Sequence, residues 1–146
     1  MKKRVVITGM GTVNPIGNNV GDFWKAVKAG ECGVGPVTRF DITDYPAKIA
    51  GEVKDFDITK WVEKREARKM DRFTQYAIAA SIEAMEDAGL ADGKGVDPER
   101  IGVILGNGIG GIETTEEAYC NRYEKGPKRS PKVTIRKMKG DRDQGQ

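Results

Sequence analysis

Histidine is absent from this chain of 146 residues, and only two cysteines are present. Without imidazole the chain cannot form a Ser-His or Cys-His catalytic couple, and no side chain has an unperturbed pKa near neutrality. Cys32 and Cys120 form no metal-binding or redox spacing, and a small secreted disulfide scaffold would carry more cysteines. We therefore expect two free thiols, no metal site and no cofactor, so that catalysis would need residues from elsewhere.

Long hydrophobic runs are also missing. No apolar stretch approaches the ~20 residues needed to span a bilayer. The first residues, Met1–Arg4, lead into a predicted strand without the apolar core of a signal peptide. We expect a cytoplasmic protein without a membrane span, and the length favours one globular domain.

The net charge of +3 is unevenly distributed. Residues 125–146 contain eight basic and two acidic residues, whereas residues 1–124 have a small acidic excess. The basic segment has no aromatic residue on which a base could stack. A solvated or disordered tail is one interpretation, and binding to nucleic acid or an acidic partner is the other. We expect a folded domain over residues 1–124 and a basic, poorly packed tail over residues 125–146.

The hydrophobic pattern predicts alternating strands and helices. Residues 4–8 are β-branched and predict a buried strand that ends at Gly9. Residues 20–28 predict a helix with one apolar face, ended by Gly30. Residues 31–61 are rich in turn-forming residues and predict a long excursion with at most short strands, such as one over residues 48–53. That apolar face consists of Val20, Phe23, Trp24 and Val27.

A second helix is predicted over residues 70–88. Alanines follow one stripe of this helix, which implies close approach to a neighbouring element, and Gly89 provides a C-terminal stop. A second strand is predicted from Ile101, followed by a glycine-rich turn and a third helix from Glu113. This order predicts an α/β fold with a parallel or mixed sheet and helices packed against it.

The glycine-rich turn follows the unbroken apolar run 101–105. Such a run is typical of a strand buried on both faces, and the glycines allow close approach of a ligand or another backbone. A substrate pocket and a tight turn packed under a helix are both consistent with the pattern. The turn glycines are Gly106, Gly108, Gly110 and Gly111.

The same turn matches the literal G-x-G-x-x-G dinucleotide fingerprint. That fingerprint also requires a following strand and an acidic residue about 20 positions on, which holds the ribose. Residues 128–132 are instead basic or Ser-Pro. A dinucleotide site is therefore not supported, and Ile109 suits a wall against an acyl chain better.

Four ordered segments of the sequence carry a family resemblance, namely Arg4–Gly17, Gly51–Asp57, Arg68–Ala77 and Arg100–Gly111. Together they resemble the amino-terminal part of a type II beta-ketoacyl-[acyl carrier protein] synthase. The resemblance covers residues 1 to about 129 and implies a partial thiolase-like fold. It also implies a cytoplasmic homodimer that performs a decarboxylative Claisen condensation in fatty-acid elongation, with no nucleic-acid or membrane partner.

The resemblance implies a catalytic cysteine and two histidines that this sequence does not contain. Neither Cys32 nor Cys120 stands at the position of the nucleophile, so we predict no catalytic residue. After Arg129 the sequence also departs from the family, because charged residues replace an apolar run that becomes buried. Burying such charges unpaired would cost several kcal/mol each, so we expect that the tail does not pack as the family's does. The homodimer of the family is therefore not carried over to this fragment. We interpret the chain as an amino-terminal fragment that is inactive alone.

Two groups of residues match binding positions of the family. Ile109, with Gly108 and Gly110 beside it, matches the isoleucine that gates the acyl-chain pocket; a plain core isoleucine is the alternative. Five cations match the basic patch that docks acyl carrier protein and its phosphopantetheine-linked acyl chain, namely Arg65, Arg68, Lys69, Lys128 and Arg129. A merely solvated helix start is the alternative for the first three, because Glu63 and Glu66 are interleaved.

Two functions therefore remain open. The chain is part of a 3-oxoacyl-[acyl carrier protein] synthase, or it is a non-catalytic interaction module that retains carrier-protein docking. A distal half supplied by another chain would favour the enzyme, and its absence would favour the module.

Overall fold

A computed structural model describes residues 3–126 of the chain. Within them, four α-helices and one two-stranded antiparallel sheet form. Short 3-10 turns lie at Ile58–Lys60 and Pro98–Arg100. The helices are α1 (Val20–Ala29), α2 (Lys64–Ala67), α3 (Arg72–Asp87) and α4 (Ile112–Lys125), and the strands are β1 (Val34–Pro36) and β2 (Ile49–Gly51).

The described residues form two compact units. The first consists of residues 3–57 and 79–101, and the second of residues 58–78 and 102–126. The first unit contains α1 and the sheet, and the second contains α2 and α4. Every residue of the candidate site described below that the structure covers belongs to the second unit.

Helix α1 begins and ends as the sequence predicts. The Asn19 side chain accepts a hydrogen bond from the Asp22 N–H at 2.8 Å, and Gly30 ends the helix in the left-handed conformation at φ 71°. The predicted apolar face is wrong in detail, because Trp24 is 57% exposed whereas Ala26 is buried. The helix packs through the side that carries a small residue, which allows close approach.

The close approach predicted from the alanine stripe of α3 is confirmed. A Cβ atom at Gly9 would lie 2.6 Å from the Ala88 nitrogen, and one at Gly11 would lie 2.8 Å from the Ala80 carbonyl carbon. Both distances are shorter than real Cβ contacts, so only glycine fits at these two positions. The backbone of residues 9–11 thus lies directly on α3.

Two carboxylates of α3 hold the same loop through its backbone. Glu83 accepts hydrogen bonds from the N–H of Thr12 at 2.9 Å and from that of Val20 at 2.7 Å. One turn later, Asp87 accepts from the N–H of Met10 at 2.9 Å. Glu83 therefore binds the two ends of the loop that leads into α1.

Replacing Glu83 by glutamine should lower the free energy of unfolding by about 1–3 kcal/mol, because a carboxylate that accepts two backbone bonds becomes a neutral amide with one oxygen. Urea unfolding followed by circular dichroism measures the change. Glu86→Gln, on an exposed position of the same helix, is the matched control. Equal stabilities of the two variants would show that the Glu83 bonds do not hold the loop.

The sheet is a short hairpin in the first unit. Val34 pairs with Gly51, and Pro36 pairs with Ile49. Just beyond it, Glu52 accepts a hydrogen bond from the Thr38 hydroxyl at 2.7 Å and another from its N–H at 3.1 Å. These bonds favour the ionised carboxylate and lower the pKa of Glu52 below its ordinary value. The short strand predicted near residues 48–53 is confirmed.

The two longer predicted strands, 4–8 and 101–105, do not form within the described residues. A strand needs a hydrogen-bonded neighbour, and no segment of residues 3–126 pairs with either run. Their side chains are exposed, up to 94% at Val5 and 96% at Ile104. The predicted parallel or mixed sheet is therefore not observed; the sheet present is antiparallel.

Two further expectations concern the chain as a whole. No helix within residues 3–126 is both long and apolar enough to cross a membrane. The predicted domain boundary after Glu124 falls one residue before the end of α4 at Lys125. The basic tail itself lies outside the described residues from 127 onwards, so its predicted poor packing stays a prediction.

Candidate functional site

The basic surface predicted before α3 lies on α2 and the turn that follows. Ala67 and Ile58 are buried, and the N–H of Val62 donates to the Ile58 carbonyl at 3.0 Å. These contacts anchor one side of the short helix. Arg65, Arg68 and Lys69 are all exposed.

These three cations share one side of the backbone. Positions three and four apart are neighbours on a helical surface, and Arg68 continues the helical conformation with φ −64°. Lys64 is a fourth exposed cation in the same segment. We call Lys64, Arg65, Arg68 and Lys69 the basic α2 surface.

Acidic residues balance this surface only in part. The Lys69 ammonium lies 2.6 Å from the Glu66 carboxylate, in a pair whose side chains are 47% and 46% exposed. Such a half-exposed pair is weak and is screened by salt. Within residues 3–126, neither Arg65 nor Arg68 forms an ion pair. The structure therefore leaves two guanidinium groups available to an anionic partner.

The two remaining cations of the predicted docking patch, Lys128 and Arg129, lie outside the described residues. Their predicted role stays a prediction.

The glycine-rich turn is packed at its second half. A Cβ at Gly110 would lie 2.8 Å from the Phe73 ring and would overlap the Asn107 side chain. Gly111 has φ 69°, a left-handed conformation that favours glycine, and is the residue before α4. This half of the turn agrees with a tight turn packed against a helix.

Two threonine hydroxyls fix the start of α4. The buried Thr114 donates its hydroxyl hydrogen bond to Asp71, the residue before α3. The Thr115 hydroxyl donates to the Gly111 carbonyl at 2.8 Å. Asp71 and Thr114 are positioning residues that were not predicted. The one available signal was the residue type of Asp71, because Asp is favoured directly before the first turn of a helix.

The first half of the turn is open. Ile109 is 77% exposed, and a Cβ at Gly108 would meet nothing within 4 Å. The alternative of a plain core isoleucine is therefore not what the structure shows. Ile109 is therefore a large apolar side chain on an accessible turn.

Both cysteines lie within the described residues. Cys32 and Cys120 are free and exposed. The Cys32 thiol donates a long hydrogen bond of 3.7 Å to the Val34 carbonyl. Within the described residues, no group of three potential metal-ligating side chains comes together.

Comparison with known proteins gives a consistent result. The profile of the family described as "Beta-ketoacyl synthase, N-terminal domain" matches residues 2–140. The 3-oxoacyl-[acyl-carrier-protein] synthase 2 of Synechocystis sp. is 43% identical over 137 residues, which are 94% of this chain and 33% of that protein. The chain thus spans about a third of the length of this curated relative.

Solved structures of ketosynthases also resemble this chain. A beta-ketoacyl synthase from Burkholderia phymatum superposes with a TM-score of 0.77 at 29% identity, covering 94% of this chain and 34% of that chain. A ketosynthase solved in complex with a type II PKS acyl-carrier protein superposes with a TM-score of 0.71 at 28% identity, covering 92% of this chain and 36% of that chain.

Proposed function

The chain belongs to the beta-ketoacyl synthase family, and on this premise we propose that it supplies the N-terminal part of a 3-oxoacyl-[acyl carrier protein] synthase. The resemblance predicted from four sequence segments is confirmed by the match to residues 2–140. The thiolase-like α/β fold class is confirmed by the likeness to solved ketosynthases. We place the protein in the cytoplasm, in fatty-acid biosynthesis.

In this proposal the chain contributes binding rather than bond making. The family resemblance implies a cysteine that takes the acyl group and two histidines that promote decarboxylation of malonyl carrier protein. This sequence has no histidine, and its two thiols are exposed. Condensation therefore requires residues that this sequence does not contain, and the homodimer implied by the resemblance belongs to the complete enzyme.

The basic α2 surface is the proposed docking site for acyl carrier protein, and its exposure is the observation that carries the proposal. Carrier protein and its phosphopantetheine arm are multiply anionic. Exposed guanidinium groups attract and orient such a partner over distances set by the Debye length. Arg65 and Arg68 have no ion-pair partner among residues 3–126. One structural neighbour was solved with an acyl-carrier protein bound, which supports this partner class.

The proposed acyl-pocket wall consists of Gly108, Ile109 and Gly110. Ile109 presents an exposed apolar side chain, while Gly110 packs on Phe73 and Gly111 leads into α4. A gating side chain needs a fixed backbone and an accessible side chain. The packed second half of the turn provides the first, and Ile109 can then contact an acyl chain without movement of α4.

Binding of acyl carrier protein should be weak, dependent on salt and lost when the three cations are removed. Replacing Arg65, Arg68 and Lys69 together by alanine should abolish binding at low salt and leave the melting temperature nearly unchanged, because exposed charges contribute about 1 kcal/mol or less to stability. Titration of fluorescently labelled carrier protein measures this. Raising the ionic strength should weaken binding by the parent chain.

The matched control removes the same number of exposed cations from elsewhere, with Lys25, Lys28 and Lys54 replaced by alanine. This variant should bind as the parent does. Equal binding by both triple variants would contradict local docking and leave only attraction by overall charge. No binding by the parent at millimolar carrier would leave the solvated helix start as the explanation of these residues.

The second candidate function is a non-catalytic module that docks carrier protein. The observation in its favour is the combination of an exposed basic surface with the absence of histidine from the chain. The two candidates differ in one result, namely whether the chain gains condensing activity when the distal part of a related synthase is added.

A further inference from the structure

The five asparagines of the chain all lie among the described residues, and four have hydrogen-bonded side chains. Asn14 accepts from the Ile16 N–H at 3.0 Å, and Asn18 donates to the Lys54 carbonyl at 2.8 Å. The remaining two are Asn19, which caps α1, and Asn121, which accepts from the Lys125 ammonium at 2.8 Å. These bonds hold each side-chain amide in place.

Asn107 is the exception. Within residues 3–126, its exposed side chain forms no hydrogen bond, and neither does the backbone N–H of Gly108. Gly108 has no side chain, and a Cβ there would meet nothing within 4 Å. The Gly108 nitrogen can therefore approach the Asn107 side-chain carbonyl carbon with little steric or hydrogen-bonding resistance.

From this arrangement we propose that Asn107 is a site of spontaneous deamidation. The Gly108 nitrogen attacks Cγ of Asn107, a new N–Cγ bond forms, and the Cγ–Nδ2 bond breaks. The Gly108 amide proton leaves with the side-chain nitrogen as ammonia. Water then opens the resulting succinimide, at Cγ to give aspartate or at the backbone carbonyl to give isoaspartate. Water is the only co-reactant, and nothing is oxidised or reduced.

The modification changes the turn that carries Ile109. The Asn107 side chain occupies the space beside Gly110, where Phe73 also packs. Aspartate would place a negative charge there, and isoaspartate would add a methylene to the backbone between the apolar run and Ile109. An acyl chain would then bind less well, a consequence that rests on the proposed function. The deamidation itself does not depend on the proposed function.

The test is incubation of the full chain at mildly alkaline pH, where the attacking amide ionises more readily. Digestion after glutamate separates the Asn107 peptide, bounded by Glu99 and Glu113, from that of Asn121. Mass spectrometry detects the gain of one mass unit, and isoaspartyl methyltransferase labels the isoaspartate product. Conversion at Asn107 should exceed that at Asn121 by at least about tenfold, since only Asn107 precedes a residue without a side chain.

Gly108→Ala is the decisive variant, because its Cβ fits the space and hinders ring closure. Its circular dichroism spectrum should match that of the parent. In this variant, Asn107 should deamidate no faster than Asn121 does. Two results would overturn the proposal: an Asn107 that stays intact while Asn19 or Asn121 converts, or a Gly108→Ala chain that converts at the parental rate. Neither depends on carrier binding or activity, so the outcome is independent of the proposed function.

Discussion

Replacing Gly11 by alanine should destabilise the first unit by more than about 3 kcal/mol, the upper end of the usual cost of overpacking. The new Cβ would meet the Ala80 carbonyl and the Ala84 nitrogen, at 2.9 Å from the latter. These are backbone atoms of α3, which cannot rotate away as a side chain does. Because proteins of this size are typically stable by only ~5–15 kcal/mol, a large part of the folding free energy is lost.

Urea unfolding and thermal melting followed by circular dichroism measure the loss. Gly102→Ala is the matched control, because a Cβ there would meet nothing within 4 Å and its φ is not positive. We expect the control to unfold with the parent and the Gly11 variant to unfold at much lower urea. Coincident unfolding of all three proteins would show that the loop does not lie on α3.

The isolated chain should show no condensing activity, which is the largest functional effect expected. The reaction needs a thiol nucleophile and imidazoles, and the sequence has no histidine. The assay is formation of 3-ketoacyl product from acyl and malonyl carrier protein, with preparations freed of host synthase. Turnover above background would contradict both the proposed role and the interpretation of the two cysteines.

Adding the distal part of a related synthase separates the two candidate functions. If the chain supplies the N-terminal part of an enzyme, the mixture should gain activity, and the variant without Arg65, Arg68 and Lys69 should lose most of it. If the chain is only a docking module, carrier binding should persist while the mixture stays inactive. The distal part of the Synechocystis enzyme is suitable, because this chain is 43% identical to the matched third of that enzyme.

Local signals in the sequence predicted the helices well. Gly30 predicted the end of α1, and Gly89, with φ 69°, follows the end of α3 as expected. Caps and left-handed glycines act within a few residues, so their effect does not depend on distant parts of the chain. The short α2 was not predicted as a helix, because four residues are too few for a periodic pattern.

The candidate site was predicted in part. The basic residues before α3 are exposed, as the docking hypothesis requires, and exposure of charged side chains follows from their desolvation cost. The contact of Thr114 with Asp71 and that of Gly110 with Phe73 join residues more than thirty positions apart. No local pattern specifies such pairs, so these contacts could not be found from the sequence.

The sequence by itself determined the extent of α1, the end of α3, the close approach of another element to α3, the family and the absence of an imidazole. Each of these depends on residue identity or on neighbours along the chain. Only the tertiary structure decided which side of α1 is buried and whether the apolar runs 4–8 and 101–105 form strands. A strand exists only when another segment offers its N–H and C=O groups, and no segment among residues 3–126 does so for these runs.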